Sequence, residues 1–260
     1  MNRASRIAAV VVPALVIVTM STGCEPGSFL AGTGPDTMEL AVPVGTLDAA
    51  AAIAALPTLP VAAGPTPPGY DRACGPGEGC VFGPSWSDDV GVEGGRNGCD
   101  TRNDILARDL KAGDLSGQPV PKRLENNNCV VLEGVLDDPF TGERMHFTKP
   151  RAGDLQVDHV VALAAAWRSG AAVWDPLRRR DFANDPRNLI VVDGSTNQSK
   201  GDDTADEWLP PNASYHCEYA RIIVTVKATY QLTVTTAEQA ALNSALGRCA
   251  PPATPAPPAT

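Results

Sequence analysis

Apolar and polar positions alternate in an ordered way only between about Tyr70 and Cys249. Asp100-Thr101-Arg102-Asn103-Asp104 is a polar helix-start cluster, with Thr101 and Asp104 set like a capping box. Ile105, Leu106 and Leu110 follow at helical spacing up to Gly113. The run from Cys129 to Leu136 is β-branched and alternating, which predicts a strand; Asp138 to Gly142 reads as a turn, and Arg144–Thr148 as the returning strand of a hairpin. Leu155 to Val161 predicts a short strand leading into an Ala-rich helix, Leu163 to Arg168, and Asn188 to Asp193 predicts a second compact strand. Gly194-Ser195-Thr196 then turns the chain, and Asn197 to Lys200 opens another helix. A longer amphipathic helix is expected from Ser214 to about Tyr230, with Tyr215, Tyr219, Ile222, Ile223 and Val226 on one broad face. Thr235 and Glu238 form a capping box for a last helix ending near Gly247. The order helix, hairpin, strand, helix, strand, helix, helix predicts an α+β fold.

The two ends read differently. Residues 1–23 carry Arg3 and Arg6, then the apolar run Ile7 to Val18, then Ser21-Thr22-Gly23, which is the layout of an export signal. Cys24 directly after Gly23 resembles a bacterial lipobox, although Ser21 stands where Leu is usual. Lipidation at Cys24 would leave the chain on the outer face of the cell membrane. The alternative is plain secretion after cleavage between Ala31 and Ala63. Residues 24–69, with Pro57, Pro60, Pro65, Pro67 and Pro68, read as an Ala/Pro-rich tether, in which the Ala-rich stretch Leu47–Leu56 is open to a transient helix without a core, and residues 250–260 as a disordered Pro/Ala tail. Residues 70–249 are left as the folded domain.

Six cysteines follow Cys24, an even number in an exported chain, which implies disulfides; six allow fifteen pairings. Neighbour order favours Cys74–Cys80, Cys99–Cys129 and Cys217–Cys249. No two cysteines form a CxxC, so a zinc knuckle is not expected. The net charge of −9 is a poor footprint for a protein that holds nucleic acid by phosphate neutralisation alone. Residues 151–201, however, hold seven Arg or Lys against six Asp, a balance of +1 in the region that carries the chemistry.

Of three histidines, His159 is distinctive because Asp158 precedes it at a strand-to-helix transition. Neighbouring strand residues point to opposite faces, so both can serve one site only if the strand stops there. Asn188 and Asn197 follow with eight residues between them, giving the order His, Asn, Asn. This order, with Lys200 three residues after Asn197 and a Gly-Asp next, resembles the HNH (ββα-metal) nucleases. The stretches Cys99-Asp-Thr-Arg-Asn-Asp-Ile-Leu-Ala-Arg, Val157-Asp-His-Val-Val-Ala-Leu, Ala166-Trp-Arg-Ser-Gly-Ala, Phe182-Ala-Asn-Asp-Pro-Arg-Asn-Leu, Trp208-Leu-Pro-Pro and Cys217-Glu-Tyr-Ala extend the likeness. Together they resemble exported actinobacterial HNH family proteins, which are similar to the C-terminal domain of GmrSD-type restriction endonucleases. Two departures stand out: 28 residues separate His159 from Asn188, and Ala162 replaces the usual Pro.

The resemblance implies a ββα-metal core with an N-terminal helix and hairpin, C-terminal helices and disulfide staples. It implies endonuclease activity on DNA, or RNA, with His159 as general base. Asp158 and Asn197 would be oxygen ligands of one divalent metal, Mg²⁺ in the simplest case and Mn²⁺ as the alternative. Asn188 would shape the loop and orient the base, and Lys200 and Arg187 would sit near the scissile phosphate. Nucleic acid is the implied partner, with the membrane added if Cys24 is lipidated; no protein partner is readable. Two rivals remain: an inactive HNH scaffold serving as a binding lipoprotein, and a hydrolase using the same site on a non-nucleic substrate.

Overall fold

The computed structural model describes residues 40–62, 64–112, 124–125 and 129–249. The export segment, Cys24 and the 250–260 tail lie outside them. The expectation of a tether across 24–69 is corrected from Leu40 onward. Ala49–Ala55 forms a helix, α1, capped by the Asp48 carboxylate on Ala51 N at 2.8 Å. Ala52, Leu56 and Leu59 are buried, Leu47 N donates to Thr225 Oγ1 at 2.9 Å, and Val61 bridges Val234. An isolated seven-residue helix would not persist in water; its order comes from packing on the C-terminal helices.

Helix α2 spans Thr101–Asp109, and its cap is Asp100 rather than Thr101, the Asp100 carboxylate accepting from Asn103 N at 2.8 Å. A two-residue pair, β1 (Leu124–Glu125) and β2 (Val130–Val131), precedes the predicted hairpin, β3 (Glu133–Asp137) with β4 (Arg144–Thr148). Buried Asp138 closes its turn by accepting from Thr141 N, and also accepts from Asp193 N at 3.1 Å. The hairpin is thereby tied to the second strand of the site.

That strand, β6 (Leu189–Asp193), pairs antiparallel with β5 (Leu155–His159), His159 standing opposite Leu189 and Asp158 opposite Ile190. Helices α3 (Leu163–Arg168) and α4 (Pro176–Ala183) fill the long connection between them. Helix α5 (Gly194–Lys200) follows at once, capped by the Asp193 carboxylate on Thr196 N at 2.7 Å. It begins at Gly194, not at Asn197, because Asp193 supplies the cap and Gly194 permits close approach: a Cβ there would lie 2.4 Å from the Gly153 carbonyl oxygen. The result is the expected ββα unit in an α+β fold.

The two-stranded sheet lies between two cores, which explains why β6 is apolar from Leu189 to Val192. Ile190 and Val192 pack with Tyr219, Ile222 and Ile223 of α6 (His216–Tyr230) and Leu242 of α7 (Thr236–Leu246); Leu189, Val191 and Val157 pack with Ile105, Leu106, Leu136 and Phe147. Thr235 caps α7 through Glu238 N at 3.0 Å. Disulfides join Cys74 to Cys80, Cys99 to Cys129 and Cys217 to Cys249.

Candidate active site

Strand β5 ends at His159 because the chain is turned there by Asn188. Val160 N donates to the Asn188 backbone oxygen at 2.9 Å and Val161 N to Asn188 Oδ1 at 2.8 Å, while Asn188 Nδ2 donates to Val161 O at 3.1 Å. Asn188 is fully buried and fixes the turn; it does not hold the imidazole. With the strand stopped, Asp158 and His159 line one cleft of about 380 Å³ together with Asn197, Arg72, Trp86 and Arg102.

The His159 ring is held by α4. Its Nε2 lies 2.8 Å from the Ala183 carbonyl oxygen, which can only accept, so Nε2 carries the proton and Nδ1 keeps the lone pair. Trp86 stacks on the ring at 5.7 Å between centroids and 13° between planes. The sealed, unpartnered side-chain atoms of the described residues are Arg180 Nε, Asn184 Oδ1 and His216 Nδ1; His159 Nδ1 is not among them. Burial pushes the His159 pKa down from 6.5 to about 3. The Ala183 hydrogen bond opposes that shift, and the Arg72 and Lys200 cations reinforce it. The imidazole is neutral at neutral pH and has one nitrogen free to take a proton.

Lys200 corrects one expectation. It does not face the cleft as a phosphate contact but is fully buried, donating to Asp158 Oδ1 at 2.8 Å, Asp158 Oδ2 at 2.7 Å and the His159 carbonyl oxygen at 2.7 Å. An ammonium has three donors, and all three are satisfied, which is the condition for burying it. Asn197 does line the cleft. Its Nδ2 donates to Gln156 Oε1 at 2.9 Å, and its Oδ1 accepts no hydrogen bond from the described residues.

Arg187 is a second correction. Its guanidinium holds Asp185, Nε to Oδ1 at 3.0 Å and Nη2 to Oδ2 at 2.6 Å, and lies over the Tyr230 ring rather than lining the cleft. Tyr230 Oη donates to the same carboxylate at 2.6 Å, so the three side chains brace the connection between α4 and β6. The basic run at 178–180 is likewise engaged within the protein: Arg178 donates to Tyr230 O, Arg179 to Val81 O, and Arg180 pairs with Asp89.

Three cleft residues had no role in the sequence reading. Arg72 and Trp86 stand in a Gly- and Pro-rich stretch with no periodicity, and Arg102 looks like an ordinary first-turn helix residue. The available signal was an Arg two positions before a half-cystine, in a chain otherwise rich in acid.

Among the described residues, no group of three or more His, Cys, Asp and Glu is placed to hold a metal. The hard donors in the cleft are the Asp158 carboxylate and Asn197 Oδ1. That sparse oxygen set suits a cation such as Mg²⁺, which keeps much of its own water.

Comparison with known proteins gives a consistent frame. An uncharacterized secreted protein of Arthroderma benhamiae is 40% identical over 153 residues, 58% of this chain and 68% of that protein. No solved structure matches. The pattern of the GmrSD restriction endonuclease C-terminal domain matches residues 101–244, a span holding Arg102 and the whole ββα unit with Asp158, His159, Asn188, Asn197 and Lys200, while Arg72 and Trp86 precede it. With more than half its length so matched, the chain belongs to the GmrSD restriction endonuclease C-terminal domain family.

Proposed function

We propose that the chain is an exported endonuclease that hydrolyses phosphodiester bonds of nucleic acid, DNA foremost, with His159 as general base. One observation carries the reading: the His159 Nε2 proton is committed to the Ala183 carbonyl, so the basic Nδ1 belongs to the cleft that Asp158 and Asn197 also line. His159 Nδ1 takes the proton of the attacking water, and the Nε2–H bond to Ala183 strengthens as the ring becomes cationic. Trp86 holds the ring plane, Asn188 holds the turn, and Lys200 fixes the position of the Asp158 carboxylate through both of its oxygens. Burial is the main reason the ring is weakly basic in the free protein, and a phosphate anion beside it would favour the cationic ring and oppose that effect. Asp158 and Asn197 would hold one divalent cation, Mg²⁺ or Mn²⁺, which when bound offsets charge on the phosphoryl and leaving oxygens.

Export is supported by the signal-like residues 1–23, by the three disulfides, and by the secreted description of the Arthroderma relative. No helix among the described residues is long and apolar enough to cross a membrane. A lipid on Cys24 is the membrane-anchored form of this reading. A mass spectrum of the mature protein separates an acylated N-terminus at Cys24 from cleavage beyond Ala31.

Plasmid nicking tests the activity. The purified chain should nick DNA with Mg²⁺ or Mn²⁺, lose activity in EDTA, and lose it on His159→Ala. Equal nicking by the variant would overturn the assignment of the base. One observation favours a second reading, a binding module on an inactive scaffold: Lys200 already engages both Asp158 oxygens. Absence of cleavage on both DNA and RNA would select it.

A further inference from the structure

The folded unit is acidic, yet the cleft is not. Many arginines of the described residues are paired with carboxylates, among them Arg96 with Asp89, Arg108 with Asp109, Arg168 with Asp202, Arg187 with Asp185 and Arg221 with Glu218. Arg72 and Arg102 are not. Arg102 donates to the Ala152 carbonyl oxygen at 3.3 Å, and the Arg72 guanidinium has no hydrogen-bond or ion-pair partner among the described residues. Both line the His159 cleft, where the carboxylate of Asp158 is balanced by Lys200. The cleft therefore keeps the positive charge of two guanidinium groups in a chain of net charge −9. Planar forks without a carboxylate partner suit phosphate oxygens, which they can engage through two parallel hydrogen bonds. Arg72 also lines a neighbouring cavity of about 460 Å³ beside Tyr70, so one guanidinium borders both spaces.

We propose that Arg72 and Arg102 form the phosphate-binding clamp of the His159 cleft for a polynucleotide strand. This rests on the nuclease reading for its ligand class, but not on cleavage. Its consequence is architectural. Arg102 lies inside the span matched by the family pattern, whereas Arg72 lies before it. Arg72, just before the Cys74–Cys80 loop, and Trp86, beyond it, are then part of the substrate site although both precede the matched span.

The test is binding in EDTA, read by fluorescence anisotropy of a labelled single-stranded 12-nucleotide DNA across a salt series. The proteins are the purified full chain, Arg72→Ala, Arg72→Lys, Arg102→Gln, Arg102→Lys and the exposed control Arg96→Ala. Arg72→Ala and Arg102→Gln should each weaken binding by about ten-fold and lower the slope of log affinity against log salt by about 0.7. Both Lys variants should recover the slope and part of the affinity, a rescue that a merely structural role would not give. Arg96→Ala should bind like the parent. Unchanged affinity and slope in Arg72→Ala and Arg102→Gln, an equal loss in Arg96→Ala, or no binding by the parent chain at low salt would each overturn the clamp. Cleavage assayed in parallel with Mg²⁺ separates the two ideas. Arginine-dependent binding without cleavage retains the clamp and sinks the nuclease; cleavage with arginine-independent binding does the reverse.

Discussion

Lys200 and Asp158 form a sealed ion pair, the ammonium reaching both carboxylate oxygens at 2.8 and 2.7 Å with neither side chain appreciably exposed. Removing one member leaves the other charged and dry. Lys200→Met should cost about 3–5 kcal/mol of stability, and adding Asp158→Asn should recover a large part of it. Denaturant midpoints of the single and double variants measure this. If Lys200→Met alone matches the parent, the pair is not buried in solution.

Asn188 satisfies both backbone groups of Val161 from a fully buried position. Asn188→Ala strands that N–H and that carbonyl, at about 1–3 kcal/mol each. Chemical denaturation should show a loss on the order of 2–4 kcal/mol, with nicking reduced because the end of β5 is released. A variant of parental stability that has lost activity would instead place Asn188 at the reacting groups.

Gly194 has room for a hydrogen and nothing more, since a Cβ would meet the carbonyl oxygens of Gly153 at 2.4 Å and Asp154 at 3.1 Å. Gly194→Ala must move backbone at the β6–α5 junction and should cost about 1–3 kcal/mol. It should also displace Asn197, three residues on. Thermal melts together with metal titration of the variant read the two effects separately, and an unchanged melting temperature would refute the close approach.

Asp137 provides a pH signature away from the cleft. Burial pushes its carboxyl up, but the Arg144 guanidinium at 2.7 Å and the Lys111 ammonium at 3.1 Å outweigh that and leave it below the ordinary 3.8. The folded carboxyl thus titrates below the unfolded one. Its stabilisation is complete above about pH 4–5 and is lost as pH falls through the folded value. Asp137→Asn should flatten the acid limb of a stability–pH curve. The same limb in parent and variant would mean that other carboxylates carry it.

The elements nearest the chemistry were the most legible. Leu155–His159 alternates apolar and polar residues up to Asp158, Leu189–Asp193 is a short apolar run closed by Asp193, and the Asp-His and Asn residues at their edges fall where the ββα unit needs them. Direction of side chains was less so. The expectation that Lys200 and Arg187 sit near the scissile phosphate fails because spacing gives their position along the chain but not the carboxylate that waits behind them. Packing of residues 40–62 escaped for a related reason: an Ala-rich helix has little pattern of its own, and its partner faces on α6 and α7 lie more than 150 residues away. Arg72 and Trp86 reach the site from a loop shaped by glycines and a disulfide, where periodicity carries no information.

The Ala183 carbonyl gives the long connection between β5 and β6 a significance beyond its length. Position of the proton on the imidazole is decided by an atom from that connection, so the extra segment cannot be trimmed as ornament. A shortened relative that kept every reactive side chain would still have to find another acceptor for Nε2, or else leave the two ring tautomers to exchange freely.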